Sequence, residues 1–156
     1  MKTPEYLAFR EHPSEWTQRI ALSTNGRNYV RNVCTQIFPD KNDPAVLGRG
    51  MAPALQIGRM IVPSDIESKY NYYYDNVRTP ANLGVPGCLA VRRYHVIDGS
   101  PKYTTVYEFE HEKVPETEAW NLRRGQDDMH GYIGGSYGHA SGSPGVYRRI
   151  LPTRAF

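Results

Sequence analysis

The side chains best suited to chemistry are concentrated in residues 70–80, which read YNYYYDNVRTP. The spacing predicts a helix in which Tyr74 and Arg78 are neighbours one turn apart, beside a buried stripe. A guanidinium stays protonated near neutral pH and holds carboxylates through paired hydrogen bonds, which suits Arg78 to bind an anionic ligand. The alternative is a surface arginine that interacts with the negative end of the helix dipole.

This helix is predicted to begin at Asp65 and to end near Thr79, because a residue that precedes proline avoids the helical conformation. Its buried stripe is expected to consist of Ile66, Tyr70, Tyr73 and Val77.

Three histidines are candidates for proton transfer, since the pKa of imidazole lies near neutrality. His95 lies in a predicted strand, on the face that carries Leu89, Val91 and Arg93, where a purely structural role is the alternative. His130 and His139 lie in the loop HGYIGGSYGHASGSPG at 130–145, which is either a lid over the site or a mobile surface loop.

Further candidates complete the predicted site. Tyr72 is a candidate catalytic residue, and Tyr74 and Tyr107 are suited to donate a hydrogen bond to a carbonyl, although simple packing is the alternative for each. Arg93 is a second candidate for binding an anion. No metal-ligand spacing, P-loop or dinucleotide fingerprint occurs, so we predict neither a metal nor another cofactor.

The elements that would position these residues alternate in a recognisable order. From Ala54 onward the patterns predict strands at 54–62, 87–97, 102–110 and 145–152, with helices after the first and third strands. The order β-α-β-β-α-β is that of the ferredoxin-like split βαβ arrangement, an α+β fold.

Residues 1–39 resemble a second copy of the end of the chain. Both are predicted to form a strand, a helix that bears a tryptophan and a strand that ends at a proline. We therefore predict an N-terminal half-repeat arm at 1–39, a connector at 40–53 and the main domain at 54–156. The arm would add strands either to its own sheet or to that of a partner chain.

Composition excludes several classes of protein. The net charge of +3 is too small to indicate nucleic-acid binding, and no apolar run is long enough to cross a membrane. The N-terminal residues lack the apolar core of a signal peptide, so a cytoplasmic location is expected. Cys34 and Cys88 are far apart and predict neither a disulfide framework nor a zinc site.

YDNVRTP, then a Pro-Gly pair and the strand AVRRYHVI, resembles the EthD-like, or stress-responsive, dimeric α/β barrel superfamily. The resemblance covers about 54–152 and implies a ferredoxin-like unit that forms a homodimer. Members of this superfamily include cofactor-free cyclases, dehydratases, isomerases and monooxygenases. The family usually has histidine, a general base in some cyclases, where this chain has Arg78, and a tyrosine at the position of Tyr72.

This departure changes the predicted chemistry. Because arginine cannot act as a base near neutral pH, Arg78 is expected to bind an anion while a histidine moves the proton. The predicted function is that of a cofactor-independent isomerase, lyase or ester hydrolase acting on a small anionic unsaturated or aromatic-derived carboxylate. The alternatives are a non-catalytic binding or assembly module and a cofactor-free monooxygenase.

Overall fold

The computed structural model describes residues 31–40, 42–44, 50 and 52–150, which form an α+β fold around one open antiparallel sheet of six strands. Within the main domain, alternating apolar and polar residues place the four predicted strands close to where the sequence predicts them, and the structure adds a short strand within the predicted loop. The strands are β1 (Val33–Phe38), β2 (Ala54–Ile61), β3 (Cys88–Asp98), β4 (Tyr103–Phe109), β5 (Gly138–His139) and β6 (Gly145–Arg148).

The sheet has the order β1-β3-β4-β2-β5, and β6 also pairs with β2. The two short strands share one edge of β2: β5 lies opposite Met60 and Ile61, and β6 pairs with its first half. Each strand therefore presents alternate residues to the two faces of the sheet. One face is covered by helices, and we call the other the open face.

The helix after β2 continues past the point where we predicted its end. It consists of α1 (Glu67–Tyr73), a π-helical turn (Tyr74–Arg78) and α2 (Thr79–Leu83). Proline in a regular helix clashes with the carbonyl four residues earlier. Here the amide of Thr79 bonds to the carbonyl of Tyr74, five residues back, and this wider turn accommodates Pro80.

The π turn corrects the predicted buried stripe. It inserts one extra residue, so the side chains that follow it are rotated relative to a regular α-helix. Ile66, Tyr70 and Tyr73 are buried as predicted, but Val77 is 40% exposed and Tyr74 is only 2% exposed. Tyr74 thus packs in the interior, whereas we had placed it at the edge of the stripe.

The helix predicted after the third strand of the main domain, around Trp120 and Leu122, is present in the structure between two shorter helical segments. A 3₁₀ turn (Val114–Glu116) leads into α3 (Glu118–Gly125), and α4 (Met129–Ile133) follows. The Thr117 side chain caps α3 by accepting a hydrogen bond from the Trp120 amide at 3.3 Å.

Two clusters on the helix-covered face form the core. One joins α1 and α4 to β2 and β4 through residues that include Tyr70, Tyr103 and Met129. The other packs Trp120 of α3 against Tyr107 and Phe109 of β4.

The predicted N-terminal half repeat is only partly within the described residues. Its first strand, at 5–9, and its helix from Ser14 lie outside them. Its second strand is β1, which pairs with β3 of the same chain, so this part of the arm extends the chain's own sheet. Among the described residues, no helix is both long and apolar enough to span a bilayer.

Candidate functional site

Arg78 ends the π turn and lies beneath the helix-covered face of the sheet. Its side chain is 23% exposed and forms an ion pair with Asp127, with 3.1 Å between Nη1 and Oδ2. The same nitrogen donates to Met129 Sδ at 3.0 Å, and the guanidinium lies 5.0 Å from the centre of the Tyr74 ring. Arg78 is therefore mostly buried and partly neutralised.

The electrostatic surroundings keep Arg78 charged. Burial alone disfavours the cation, but Tyr74, Tyr107 and Asp127 more than offset this effect, and the pKa of Arg78 lies above its ordinary value. The site thus contains a cation that cannot act as a base at any physiological pH.

Tyr107 faces Arg78 from β4. The Tyr107 hydroxyl accepts a hydrogen bond from the Asn82 side chain at 3.0 Å, and Asn82 is itself buried on α2. Burial raises the pKa of Tyr107, although Arg78 and Asn82 act in the opposite direction. The hydroxyl therefore remains protonated near neutral pH and can donate a hydrogen bond.

His139 approaches this region from β5. It pairs with Met60, on the helix-covered face, and its imidazole lies above Gly58, where an added Cβ would come within 3.4 Å of Cε1. The Ser143 hydroxyl lies 3.4 Å from His139 Nδ1. Burial, and after it the charge of Arg78, lowers the pKa of His139 below its ordinary value. Its imidazole is therefore neutral at pH 7 and can accept a proton.

Tyr137 and His130 lie beside this group. Their rings stack with centres 4.5 Å apart, and Tyr137 also packs against Tyr70. Burial raises the pKa of Tyr137 to about 12, although the charge of Arg78 opposes this rise. His130 itself is exposed. The predicted loop thus contributes His139 and Tyr137 to the surroundings of Arg78, and it is more ordered than we expected because it contains part of α4, β5 and the start of β6.

Arg93 has a different environment. Its side chain is 1% exposed and is surrounded by the rings of Tyr70, Tyr74 and Tyr103, between 4.5 and 5.8 Å from the guanidinium. It donates to the Asp75 carboxylate and, at 2.7 Å, to the Asn71 side chain. Both terminal nitrogens of Arg93 thus have protein partners, while Nε is buried without one in the described structure, and this enclosed environment indicates a structural role.

Hydrogen bonds continue from Arg93 to the surface. The Asn71 amide donates to the Tyr103 hydroxyl at 2.9 Å, which donates to the Glu67 carboxylate. Lys102 Nζ donates to the same carboxylate at 2.6 Å. We call this chain of residues the Arg93 network.

Two of the predicted catalytic residues lie apart from Arg78. The ring of His95 contacts Tyr103, with centres 5.6 Å apart, and its charge acts on Glu67, so it lies beside the Arg93 network. Tyr72 is 58% exposed and stacks on Tyr132. The structure therefore places Arg78 beside Tyr74 and Tyr107, and the charge of Arg78 acts on His139. It gives His95 and Tyr72 other neighbours.

Several residues of this region were not among our predicted site residues. Asp127 binds Arg78 and accepts a hydrogen bond from the Tyr73 hydroxyl at 3.0 Å, Asn82 binds Tyr107, and Tyr137 lies nearby. Asp127 follows a helix with no informative spacing, so only its position in the fold reveals it. Among the described residues, no group of three or more His, Cys, Asp or Glu side chains could hold a metal ion.

The interior around Arg78 also contains polar atoms without partners. Within the described structure, Gln56 Oε1, Thr105 Oγ1 and Arg78 Nε are buried and form no hydrogen bond. Gln56 and Thr105 occupy the helix-covered face of β2 and β4, beside Tyr107 and Gly58. Since buried polar groups are normally paired, the layer between helix and sheet is unusually polar for a core.

Comparison with known proteins identifies no family for this chain. No protein-family model matches the sequence, and no curated protein matches it. The resemblance to EthD-like proteins therefore stays a prediction.

Proposed function

We propose that this chain is a cofactor-independent acid–base enzyme acting on a small anionic unsaturated or aromatic-derived carboxylate. One observation carries the proposal: burial, and after it the charge of the permanently cationic Arg78, lowers the pKa of the His139 imidazole on the same face of the sheet, which is therefore neutral at pH 7. A fixed cation beside a neutral base is the combination needed to bind an anion and remove a proton from it.

Each residue has a separate role in binding the substrate or transferring the proton. Arg78 holds the substrate carboxylate or the enolate oxygen that develops when a proton leaves the adjacent carbon. His139 takes that proton. Returning it to a different carbon gives an isomerisation, and expelling a leaving group from the enolate gives an elimination. Tyr107 and Tyr137, both with a raised pKa, donate hydrogen bonds to a carbonyl oxygen.

We further propose that residues 54–150 form a ferredoxin-like unit. The order β3-β4-β2, with β5 and β6 on the far edge of β2, supports this proposal. It is the order that two interleaved β-α-β units produce, and the core clusters place the helices on one face.

Deuterium exchange tests the catalytic proposal without knowledge of the complete reaction. The protein is incubated in D₂O with a panel of unsaturated and aryl-substituted carboxylates, and loss of the proton next to the carboxylate or carbonyl is followed by NMR. We expect His139→Gln to reduce the exchange rate at least a hundredfold, which is the usual contribution of a general base.

The matched control is His111→Gln. His111 is an exposed histidine, as His139 is, but it precedes the 3₁₀ turn, away from β5. The His111→Gln variant should catalyse exchange of the substrate proton at the same rate as the unaltered protein. Full exchange activity in an Arg78→Ala variant would contradict the assignment of Arg78 as the anion-binding group.

The second candidate function is a binding or assembly module that forms a homodimer through the open face of the sheet. The ion pair of Arg78 with Asp127 favours this second function, because the Asp127 carboxylate already binds one guanidinium nitrogen that a substrate carboxylate would need. Sedimentation analysis together with the exchange assay separates the two functions: a dimer that exchanges no proton from any carboxylate supports the module.

A further inference from the structure

The open face of the sheet contains a cavity of about 590 Å³, which we call the open-face hollow. This volume lies within the range of small-molecule sites, which are mostly apolar with a few polar groups. The side chains of Leu55, Ile57 and Val106 supply apolar surface across the adjacent strands β2 and β4.

Two arginines line the open-face hollow, and they differ in whether a carboxylate neutralises the guanidinium. Arg92 is neutralised by Glu108, with 2.7 Å between Nε and Oε1, and the Glu108 side chain is only 5% exposed. Arg59 forms no ion pair with any carboxylate in the part of the chain that the structure describes. Its side chain donates one hydrogen bond, from Nη2 to the Ser141 carbonyl at 2.6 Å.

Arg59 therefore presents uncompensated positive charge at an apolar cavity. Its side chain is partly exposed, and none of its nitrogens is among the buried atoms that lack a partner, so its remaining N–H groups reach solvent or the cavity. A guanidinium in this position is suited to a carboxylate, and the apolar strands beside it are suited to a hydrocarbon body.

We propose that the open-face hollow is a binding site for an amphipathic monoanion, with the carboxylate on Arg59 and the hydrocarbon part on Leu55, Ile57 and Val106. The site is distinct from that of Arg78. Adjacent residues of β2 point to opposite faces of the sheet, so Arg59 lies on the open face, whereas Arg78 lies beneath the helix-covered face. The proposal does not depend on the proposed enzymatic activity.

Octanoate is the probe for the first experiment, with the full chain labelled at its methyl groups for NMR. Binding in the open-face hollow should shift the methyl signals of Leu55, Ile57 and Val106. The signals of Met60 and Ile133, which lie in the core of the helix-covered face, should stay in place. Shifts confined to Met60 and Ile133 would overturn the proposal.

The chemistry of the ligand is tested in the same titration. Hexanoate should bind about fifteenfold more weakly than octanoate, because it lacks two methylenes and each buried methylene contributes about fourfold in affinity. Octylammonium, which has the same number of carbon atoms and the opposite charge, should also bind at least tenfold more weakly. Equal affinities for octanoate and octylammonium would overturn the role of Arg59.

The protein side is tested with Arg59→Gln, which should weaken octanoate binding about tenfold. Arg124→Gln is the matched control, since it removes the same charge from an exposed position on α3 and should leave the affinity unchanged. Unchanged affinity in Arg59→Gln would reject the site. If dilution alone moves the Leu55, Ile57 and Val106 signals and octanoate does not, the face is an interface between two copies and the proposal is wrong.

Discussion

Arg78, on the helix after β2, and Arg93, on β3, both extend into the layer between helix and sheet, yet their environments differ. Arg93 is 1% exposed, whereas Arg78 is 23% exposed. Arg93 is enclosed by three tyrosine rings and bonded to two side chains, while Arg78 is bonded to one carboxylate and one thioether, and its charge adds to the effect of burial on the pKa of His139. Among the residues that the structure describes, Nε is buried without a partner in both arginines. The comparison therefore shows that a buried arginine can be either a fixed part of the core or an accessible charge, depending on its exposure and on how its terminal nitrogens are bonded.

The largest expected effect tests the closed environment of Arg93. Asp75→Ala leaves the fully buried Arg93 cation without its carboxylate, which should cost about 3 kcal/mol or more in the free energy of unfolding. Denaturant unfolding measures this cost. Adding Arg93→Met should restore much of the loss because the unpaired charge is then gone.

Arg78→Met provides the comparison for this prediction. Its loss of stability should be smaller than that of Asp75→Ala, because Asp127 keeps a hydrogen bond from Tyr73 and an ion pair with Arg123. A larger loss for Arg78→Met would reverse our assignment of the two roles.

An intermediate effect concerns Glu67, at the surface end of the Arg93 network. Hydrogen bonds from Lys102 and Tyr103 lower the pKa of Glu67 below its ordinary value of 4.5. A carboxylate with a lowered pKa stabilises the fold above pH 4.5, and this contribution is lost as the pH falls through the lowered value.

Glu67→Gln should therefore cost about 1 kcal/mol at pH 7, most of it from the bond to Tyr103, because Lys102 is largely exposed. The difference from the unaltered protein should shrink below pH 4.5. Thermal unfolding across this pH range measures it, with Glu118→Gln, an exposed carboxylate on α3, as the control. A pH-independent difference would argue against the network.

The smallest expected effect concerns the accessible environment of Arg78. In Arg78→Gln the pKa of His139 should rise only part of the way towards 6.5, because burial is the larger cause of its lowered value. NMR titration of the His139 Cε1 proton measures this change. Arg148→Gln, a distant exposed arginine, should leave the pKa of His139 unchanged. No change in Arg78→Gln would remove the observation on which the proposed function rests.

Alternation along the sequence was sufficient to predict the three long strands. Tyr103, Thr105, Tyr107 and Phe109 occupy alternate positions of the strand predicted at 102–110, and all four are buried in the structure. Such a pattern is local and does not depend on what packs against it, which is why it can be read directly from the residues.

The helix and the site were less accessible to prediction. Pro80 was expected to end the helix, and only the π turn, which depends on the wider context, let it continue. The placement of His139 depends on a two-residue strand pairing with the end of β2, a contact between residues about 80 positions apart. No local pattern distinguishes His139 from His130 or His95, so the sequence left all three open.

The π turn has a consequence for how the chain tolerates changes in its length. A π turn is one residue longer than the α-helical turn that spans the same distance. Deleting one exposed residue there, such as Asn76, would leave a regular helix with Arg78, Thr79 and Asn82 still directed towards the sheet, provided that Pro80 is also replaced by a residue that a regular helix accepts. Relatives that are one residue shorter in this segment and lack the proline would therefore be expected to keep the same inner face, whereas an insertion would turn it away.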